Sequence, residues 1–315
     1  MDVSVVICVY TEERWDDIRE AVASVEGQRR GPHELILVVD HNPDLQLALK
    51  REYPDAVVVE NGHERGLSGG KNTGAEIATG DIVAYLDDDA VADPGWLEAL
   101  EEGFQDPATV GVGGRTEPLW AAGSRPRWFP REFDWTVGCT YRGMPERRAR
   151  VRNVMGGNAA FRREAVTGVG GFSSGIGRSV QGRKSRPLGC EETEFCIRLS
   201  QRRPGSVILF EPGAVIGHKV SAQRSRLAYL RSRCYAEGLS KALVAASVGA
   251  GDGLSSERSY ATRTLPLGVL RGLGDALRGD LAGLGRAGAI VIGLAWTTWG
   301  YALGTARLKL RGGGS

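Results

Sequence analysis

Four short apolar runs in the first 90 residues, Val3–Val9, Leu35–Val39, Ala56–Val59 and Ile82–Leu86, are continuous and not alternating. A strand with one wet face alternates polar and apolar side chains, so continuous runs require a sheet covered on both faces. Helical periods near Trp15–Val25 and Ser68–Ala78 fall between them, which is the order of βαβ units. The expectation is an α/β fold with a nucleotide-binding type of sheet flanked by helices.

Acids end two of these strands. "VVDHN" carries Asp40 and "YLDDD" carries Asp87, Asp88 and Asp89. Carboxyl ends of strands are where open α/β sheets bind ligands, so two acidic strand ends on one edge define a candidate site. One Asp at a strand end reads as a turn residue. Three in a row repel one another and raise each other's pKa, which shifts the reading toward a divalent cation, and oxygen ligands suit Mg or Mn.

The loop Asn61–Gly80, "NGHERGLSGGKNTGAEIATG", is rich in glycine but matches neither G-x-G-x-x-G nor the P-loop spacing. A dehydrogenase and a P-loop ATPase are therefore disfavoured. Glycines and Lys71 at a helix start can still cradle a diphosphate; a turn with solvated charges is the alternative.

Net charge is +2, so composition does not call for nucleic acid. Positive charge is instead concentrated late: from Ser221 onward there are thirteen Lys/Arg against five Asp/Glu. Five cysteines without C-x-x-C spacing argue against a disulfide framework and fit a reducing cytosol. The chain opens directly in an apolar strand, without the pattern of a secretory leader. Near the other end, Ala287–Ala306 runs for twenty residues without a charge, bracketed by Arg286 and by Arg307, Lys309 and Arg311. That length is at the lower bound for a membrane span, and an interfacial or buried helix is equally compatible. Upstream, Leu270, Leu273, Leu277, Leu281 and Leu284 recur at helical steps with Arg271 and Arg278 interspersed, the pattern of an amphipathic helix on a membrane surface.

In order along the chain, "VSVVICVYTEERW", "VVDHN", "RGLSGGKNTGAEIATGDIVAYLDDDA", "GGNAAFRREAVTGVGGF", "CEETEFCIRL" and "AVIGHKV" resemble a family 2 inverting glycosyltransferase of the GT-A fold, over roughly residues 1–245. Within that family, "ATGDIVAYLDDDAVADPGWL" and "FPREFDWTVGCTY" look most like archaeal glucosyl-dolichyl phosphate glucuronosyltransferases. The resemblance implies that Asp40 accepts a hydrogen bond from uracil, that Asp87 lies near the ribose, and that Asp89 binds the metal bridging the diphosphate. Asp88 is grouped with the donor-binding residues, but as the middle acid it is expected to face solvent. Lys71 would meet uracil or phosphate, and His218 would add a metal or diphosphate contact.

The family's Glu-Asp pair falls on Glu191 and Glu192, which makes Glu192 the candidate base and Glu191 the alternative; Glu in place of Asp reaches one methylene further. Acids at a helix start are also favoured by its dipole. "MGGNAAF" would form the acceptor-side loop with Gly156, Gly157 and Asn158. Arg115 would line the donor sugar and pair with a glucuronate carboxylate, although a surface salt bridge explains it equally well. Trp135 belongs to an aromatic stretch that is either a stacking platform for the acceptor or core under a loop.

The expectation is a GT-A catalytic domain over 1–220 and a basic, amphipathic and apolar membrane-associating region over 221–315. Its activity would be metal-dependent inverting transfer from a UDP-sugar, glucuronate by preference, to a polyprenyl- or dolichyl-phosphate-linked sugar at the cytoplasmic face of the cell membrane. A transferase for another surface polysaccharide, or a non-catalytic sugar-nucleotide or lipid-binding scaffold, is the alternative. Processive synthesis is disfavoured, because "QRSRL" after "GHKV" only partly echoes Q-x-x-R-W.

Overall fold

The computed structural model describes residues 1–174, 179–181, 184–186 and 189–312. They form two compact units, the first comprising 1–117, 145–186 and 191–218 and the second 118–144, 187–190 and 219–315. Residues 118–144 thus group with the tail from 219 onward.

The strands are β1 (Val3–Val9), β2 (Glu34–Val39), β3 (Val57–Glu60), β4 (Ile82–Asp87), β5 (Ala90–Ala92), β6 (Thr109–Trp120), β7 (Ala149–Arg150), β8 (Asn158–Arg162), β9 (Ser179–Gln181), β10 (Lys184–Arg186) and β11 (Val207–Val220). The helices of the first unit are α1 (Trp15–Glu26), α2 (Pro43–Glu52), α3 (Leu67–Ile77), α4 (Trp96–Gly103), α5 (Arg163–Gly168) and α6 (Glu191–Arg202). The main sheet runs β3-β2-β1-β4-β8-β6-β11-β5, with β7 on β11; β9 and β10 form a separate antiparallel pair. β1 is parallel to β2 and β4, as the βαβ units require, whereas β8 is antiparallel to β4 and β6.

Both faces are covered, as the continuous apolar strands demand. Val5, Ile7 and Leu37 pack with Ile18 and Val22 of α1, Leu45 of α2 and Trp96 of α4. The alternate residues Val6, Ile36 and Val83 pack with Ala75 of α3, Val166 of α5 and Phe195 and Leu199 of α6. Sequence periodicity assigned no helix between Leu35–Val39 and Ala56–Val59, where the structure has α2. Asn42 caps that helix by accepting from the Leu45 amide at 3.2 Å, with Pro43 at its first position.

The second unit is helical: α7 (Leu227–Val248), α8 (Ala250–Gly253), α9 (Ser255–Ser259), a π-turn over Tyr260–Thr264, α10 (Leu265–Leu277) and α11 (Ala282–Gly312). Its core joins Phe129, Phe133, Leu230, Leu265 and Ile290. α7 and α11 approach backbone to backbone, since a Cβ on Gly238 would lie 2.1 Å from the Thr297 carbonyl oxygen. The leucine period Leu270–Leu284 is not one helix: Gly279, at φ +97°, ends α10 and turns the chain into α11. Leu270, Leu277 and Leu281 are 64, 90 and 71 % exposed.

Candidate active site

In register, Val9 pairs with Val39 and Cys8 with Asp87, so Asp40 and Asp87 reach one edge of the sheet. The Asp40 amide continues the ladder to the Val9 carbonyl at 2.8 Å. Its carboxylate Oδ1 accepts from Asn61 Nδ2 at 2.8 Å and from the Gly66 amide at 3.1 Å. Asn61 is held in turn by the His63 amide and the Thr73 hydroxyl, both donating to its Oδ1 at 3.0 and 3.1 Å. Asn61 and Gly66 are functional candidates that motif matching passed over; the strand end before "NGHERG" was the available signal.

α3 follows this loop and carries Lys71 inward. The ammonium is buried, 3.6 Å from Glu191, with the Phe172 and Tyr85 rings 5.3 and 5.8 Å away. Burial alone would lower its pKa, but Glu191, Glu192 and Asp87 outweigh that and raise it, so Lys71 is a fixed positive charge. Glu191 opens α6 and is buried, whereas Glu192, next on the helix, is half-buried.

Asp87, Asp89 and His218 each offer a ligand atom, and these atoms lie within 4.8 Å of one another. His218 Nε2 is 3.1 Å from Asp89 Oδ1 and 3.9 Å from Asp87 Oδ2. Two carboxylates and one imidazole nitrogen suit Mn or Mg. The His218 Nδ1 atom is buried without a hydrogen-bond partner among the described residues, so no hydrogen bond from that nitrogen fixes the ring.

Asp88 does not face solvent. It is 6 % exposed and bonded to Arg14 at 2.6 Å, and the same guanidinium reaches Asp89 at 3.1 Å. Burial, with Asp89 and Asp87 adding to it, pushes its carboxyl up to about 7 against the pull of Arg14. Arg14 thus offsets part of the repulsion, at Asp88 and Asp89, and a cation held by Asp87, Asp89 and His218 would offset more of it. Arg14 was missed in the sequence because an Arg before a helix has no distinctive spacing.

Gly156 and Gly157 lie directly against this charge. A Cβ on Gly157 would stand 2.1 Å from Asp87 Oδ2, and one on Gly156 would stand 2.7 Å from Lys71 Nζ and 3.4 Å from Glu192 Cβ. Asn158 departs from its expected sugar contact. It is fully buried, accepts from Trp96 Nε1 at 2.8 Å, and donates to the Arg115 and Ala214 carbonyls at 3.1 Å each. Its amide ties β8 to the backbones of β6 and β11, out of reach of a ligand.

Arg115 is exposed and 3.4 Å from Glu117, the surface pair that the sequence left open. Trp135 donates from Nε1 to the Tyr260 hydroxyl at 3.0 Å and packs on Phe133, which is the core alternative and not a free stacking platform.

An acidic, cation-sized cluster at the carboxyl edge of a mixed sheet, beside a buried lysine and a helix-borne carboxylate, defines a GT-A glycosyltransferase. The sequence model for "Glycosyl transferase family 2" matches residues 4–170, and the chain belongs to that family. It is 37% identical over 245 residues to the glucosyl-dolichyl phosphate glucuronosyltransferase of Haloferax volcanii, covering 76% of each chain. Among solved structures, the mannosyltransferase PcManGT from Pyrobaculum calidifontis, in complex with GDP-Man and Mn2+, is similar with a TM-score of 0.56 at 17% identity, over 94% of this chain and 87% of that one. GalNAc-T7 with UDP, GalNAc and Mn2+ is similar with a TM-score of 0.51 at 20% identity, over 77% of this chain and 51% of that one. The protein is a glycosyltransferase by family and by fold.

Proposed function

We propose that the enzyme transfers glucuronate from a UDP-sugar to a polyprenyl- or dolichyl-phosphate-linked sugar, inverting the anomeric centre, with Mn or Mg, at the cytoplasmic membrane face. The observation that carries the reading is the set Asp87, Asp89 and His218, gathered within 4.8 Å beside Lys71 and Glu192. The Haloferax relative's name supports the choice of sugar and acceptor.

Asp40 Oδ2 would accept from the uracil, while Asn61 and Gly66 hold the other oxygen. A divalent ion on Asp87, Asp89 and His218 would supply Lewis-acid charge to the leaving diphosphate. Lys71 adds fixed positive charge to the same pocket. Glu192 would take the acceptor hydroxyl proton on a carboxylate oxygen as that hydroxyl attacks from the opposite side of the sugar. Glu192 is the more open of the two acids, half-buried where Glu191 is buried 3.6 Å from Lys71, which favours it as the base with Glu191 as the alternative.

Membrane contact would come through the exposed leucines of α10 and the α10–α11 turn. Ala282–Leu310 is also long and apolar enough to cross a membrane, at a mean hydropathy of 1.2.

The test is transfer from a panel of UDP- and GDP-sugars to a glucosyl-polyprenyl phosphate, with Mn, with Mg and with EDTA, reading product configuration by NMR. Metal-dependent, inverted transfer from UDP-glucuronate is expected. Transfer from a different donor would discard the sugar and keep the chemistry. Turnover undiminished in EDTA, or retention of configuration, would remove the mechanism.

A further inference from the structure

The second unit holds a cavity of about 310 Å³ lined by Arg125, Arg127, Arg131, Arg142, Arg271 and Arg286, with Phe129 as an apolar wall. We infer that it is a binding site for a phosphoryl anion, a phosphate monoester or a diphosphate, independent of the donor and acceptor proposed above.

Charge counting at the cavity carries the inference. Arg125 is held in a two-pronged pair by Asp134. Arg127 and Arg286 share Asp280 at 2.8 and 2.7 Å, and Arg286 also reaches Asp275 at 2.8 Å. Arg271 and Arg142 share one carboxylate, Glu132, at 2.6 and 3.4 Å. Arg131 is exposed and makes no ion pair within 4.0 Å among the described residues, facing at longer range the Asp134 carboxylate that Arg125 already holds. Six guanidinium groups therefore meet four carboxylates.

The surplus of two charges is localised. Arg142 and Arg271 share Glu132, Arg131 faces an Asp134 already engaged by Arg125, and the Arg142 amide donates to the Arg131 carbonyl at 3.1 Å, which holds the two residues side by side. Arg142 sits farther from Glu132 than a good charge-assisted bond requires. A phosphate monoester carries about −1.5 to −2 at pH 7, which matches the surplus; a lone carboxylate does not. Planar guanidinium forks also favour the bidentate geometry that phosphoryl oxygens accept. Gly268 leaves room for this arrangement, because a Cβ there would stand 2.9 Å from Glu132 Oε1.

The experiment uses the full chain in EDTA, so that no metal bridges the probe to the acidic site. Inorganic pyrophosphate is titrated by calorimetry, and phosphatidylcholine vesicles with and without phosphatidic acid are titrated in parallel. Wild type is compared with Arg131→Ala/Arg142→Ala and with Arg29→Ala/Arg51→Ala, which removes the same charge from the first unit. The cavity variant is expected to bind at least one probe about tenfold or more weaker than the control variant. Loss confined to vesicles assigns the phosphoryl group to a lipid, and loss confined to pyrophosphate assigns it to a soluble ligand. Equal affinity of the two variants for both probes overturns the site. Arg131→Ala alone breaks no close ion pair among the described residues, and Asp134 keeps Arg125, so it decides the matter if the double variant does not fold.

Discussion

The Lys71 ammonium stands 3.6 Å from the Glu191 carboxylate, with the two side chains 3% and 6% exposed. Neither charge has water to fall back on, so each depends on the other. Lys71→Met should therefore destabilise the fold by about 3–5 kcal/mol, by leaving a buried carboxylate uncompensated. Glu191→Gln should cost less, because Glu192 and Asp87 still favour the ammonium. The sign of the pH effect follows from a raised lysine pKa. The contribution is complete below the ordinary value of 10.5 and is lost as pH rises through the higher folded value. In urea titrations, the gap between wild type and Lys71→Met should be flat from neutral pH up to 10.5 and narrow only above it. Equal costs for the two variants would sink the pairing.

The Gly157 backbone lies against the acidic cluster, and a methyl there would meet Asp87 Oδ2 at 2.1 Å. Asp87 is a third exposed, so its carboxylate can swing away and the fold should survive. The displaced oxygen would then sit away from where the donor needs it. Gly157→Ala should lower kcat/KM for the donor about a hundredfold, with little change in Tm. A large loss of Tm with normal catalysis in the surviving fraction would reverse the argument.

How far the sequence foretold this site depends on the kind of residue. Asp40 and Asp87 were legible, because an acid closing a continuous apolar strand has one place to go in such a sheet. The β8 loop glycines were legible only through motif resemblance. Arg14 and Asn61 were not, since each acts by bonding a side chain that is distant in sequence or set by a loop. Asp88 was expected to face solvent and Asn158 to meet the acceptor, and both instead bond groups distant in sequence, Arg14 for the first and Trp96 with the Arg115 and Ala214 carbonyls for the second. In the second unit, the leucine spacing was legible but the break at Gly279 was not, because helical period continues across a short turn.

His218 is the member of the acidic cluster contributed by β11, and its Nε2 lies 3.1 Å from Asp89 Oδ1. Replacing it by Ala removes a donor atom but leaves both carboxylates. Mn affinity, followed by water proton relaxation, should fall at least tenfold in His218→Ala. Affinity equal to wild type would mean that the imidazole serves packing alone.

Glu34 offers a test of acid stability away from the site. Its Oε1 accepts from Ser4 Oγ and the Thr79 amide, each at 2.7 Å, and from Thr79 Oγ1 at 2.8 Å. Burial raises its pKa, but these donors and the nearby His33 outweigh it and hold the carboxyl below its usual 4.5. A lowered carboxylate pKa gives stability that is present above 4.5 and lost as pH falls through the folded value. Because the group is largely solvated, Glu34→Gln should cost only about 1 kcal/mol at pH 7. That difference should shrink below pH 4.5, and a cost that persists at pH 2 would mean that shape and not charge is at stake.

Asn158 separates a structural role from a ligand role most sharply. Asn158→Ala would take the partner from Trp96 Nε1 of α4 and remove the bonds to the Arg115 and Ala214 carbonyls of β6 and β11. Each buried polar group left without a partner costs about 1–3 kcal/mol, so the loss should be about 3 kcal/mol or more in chemical denaturation. Asn158→Asp keeps the acceptor for Trp96 but loses both donated bonds and buries a charge, so it should be no better. If Asn158 instead served the sugar, KM would rise while stability held. The geometry calls for the opposite split: a large loss of stability, with near-normal KM for donor and acceptor in whatever fraction remains folded.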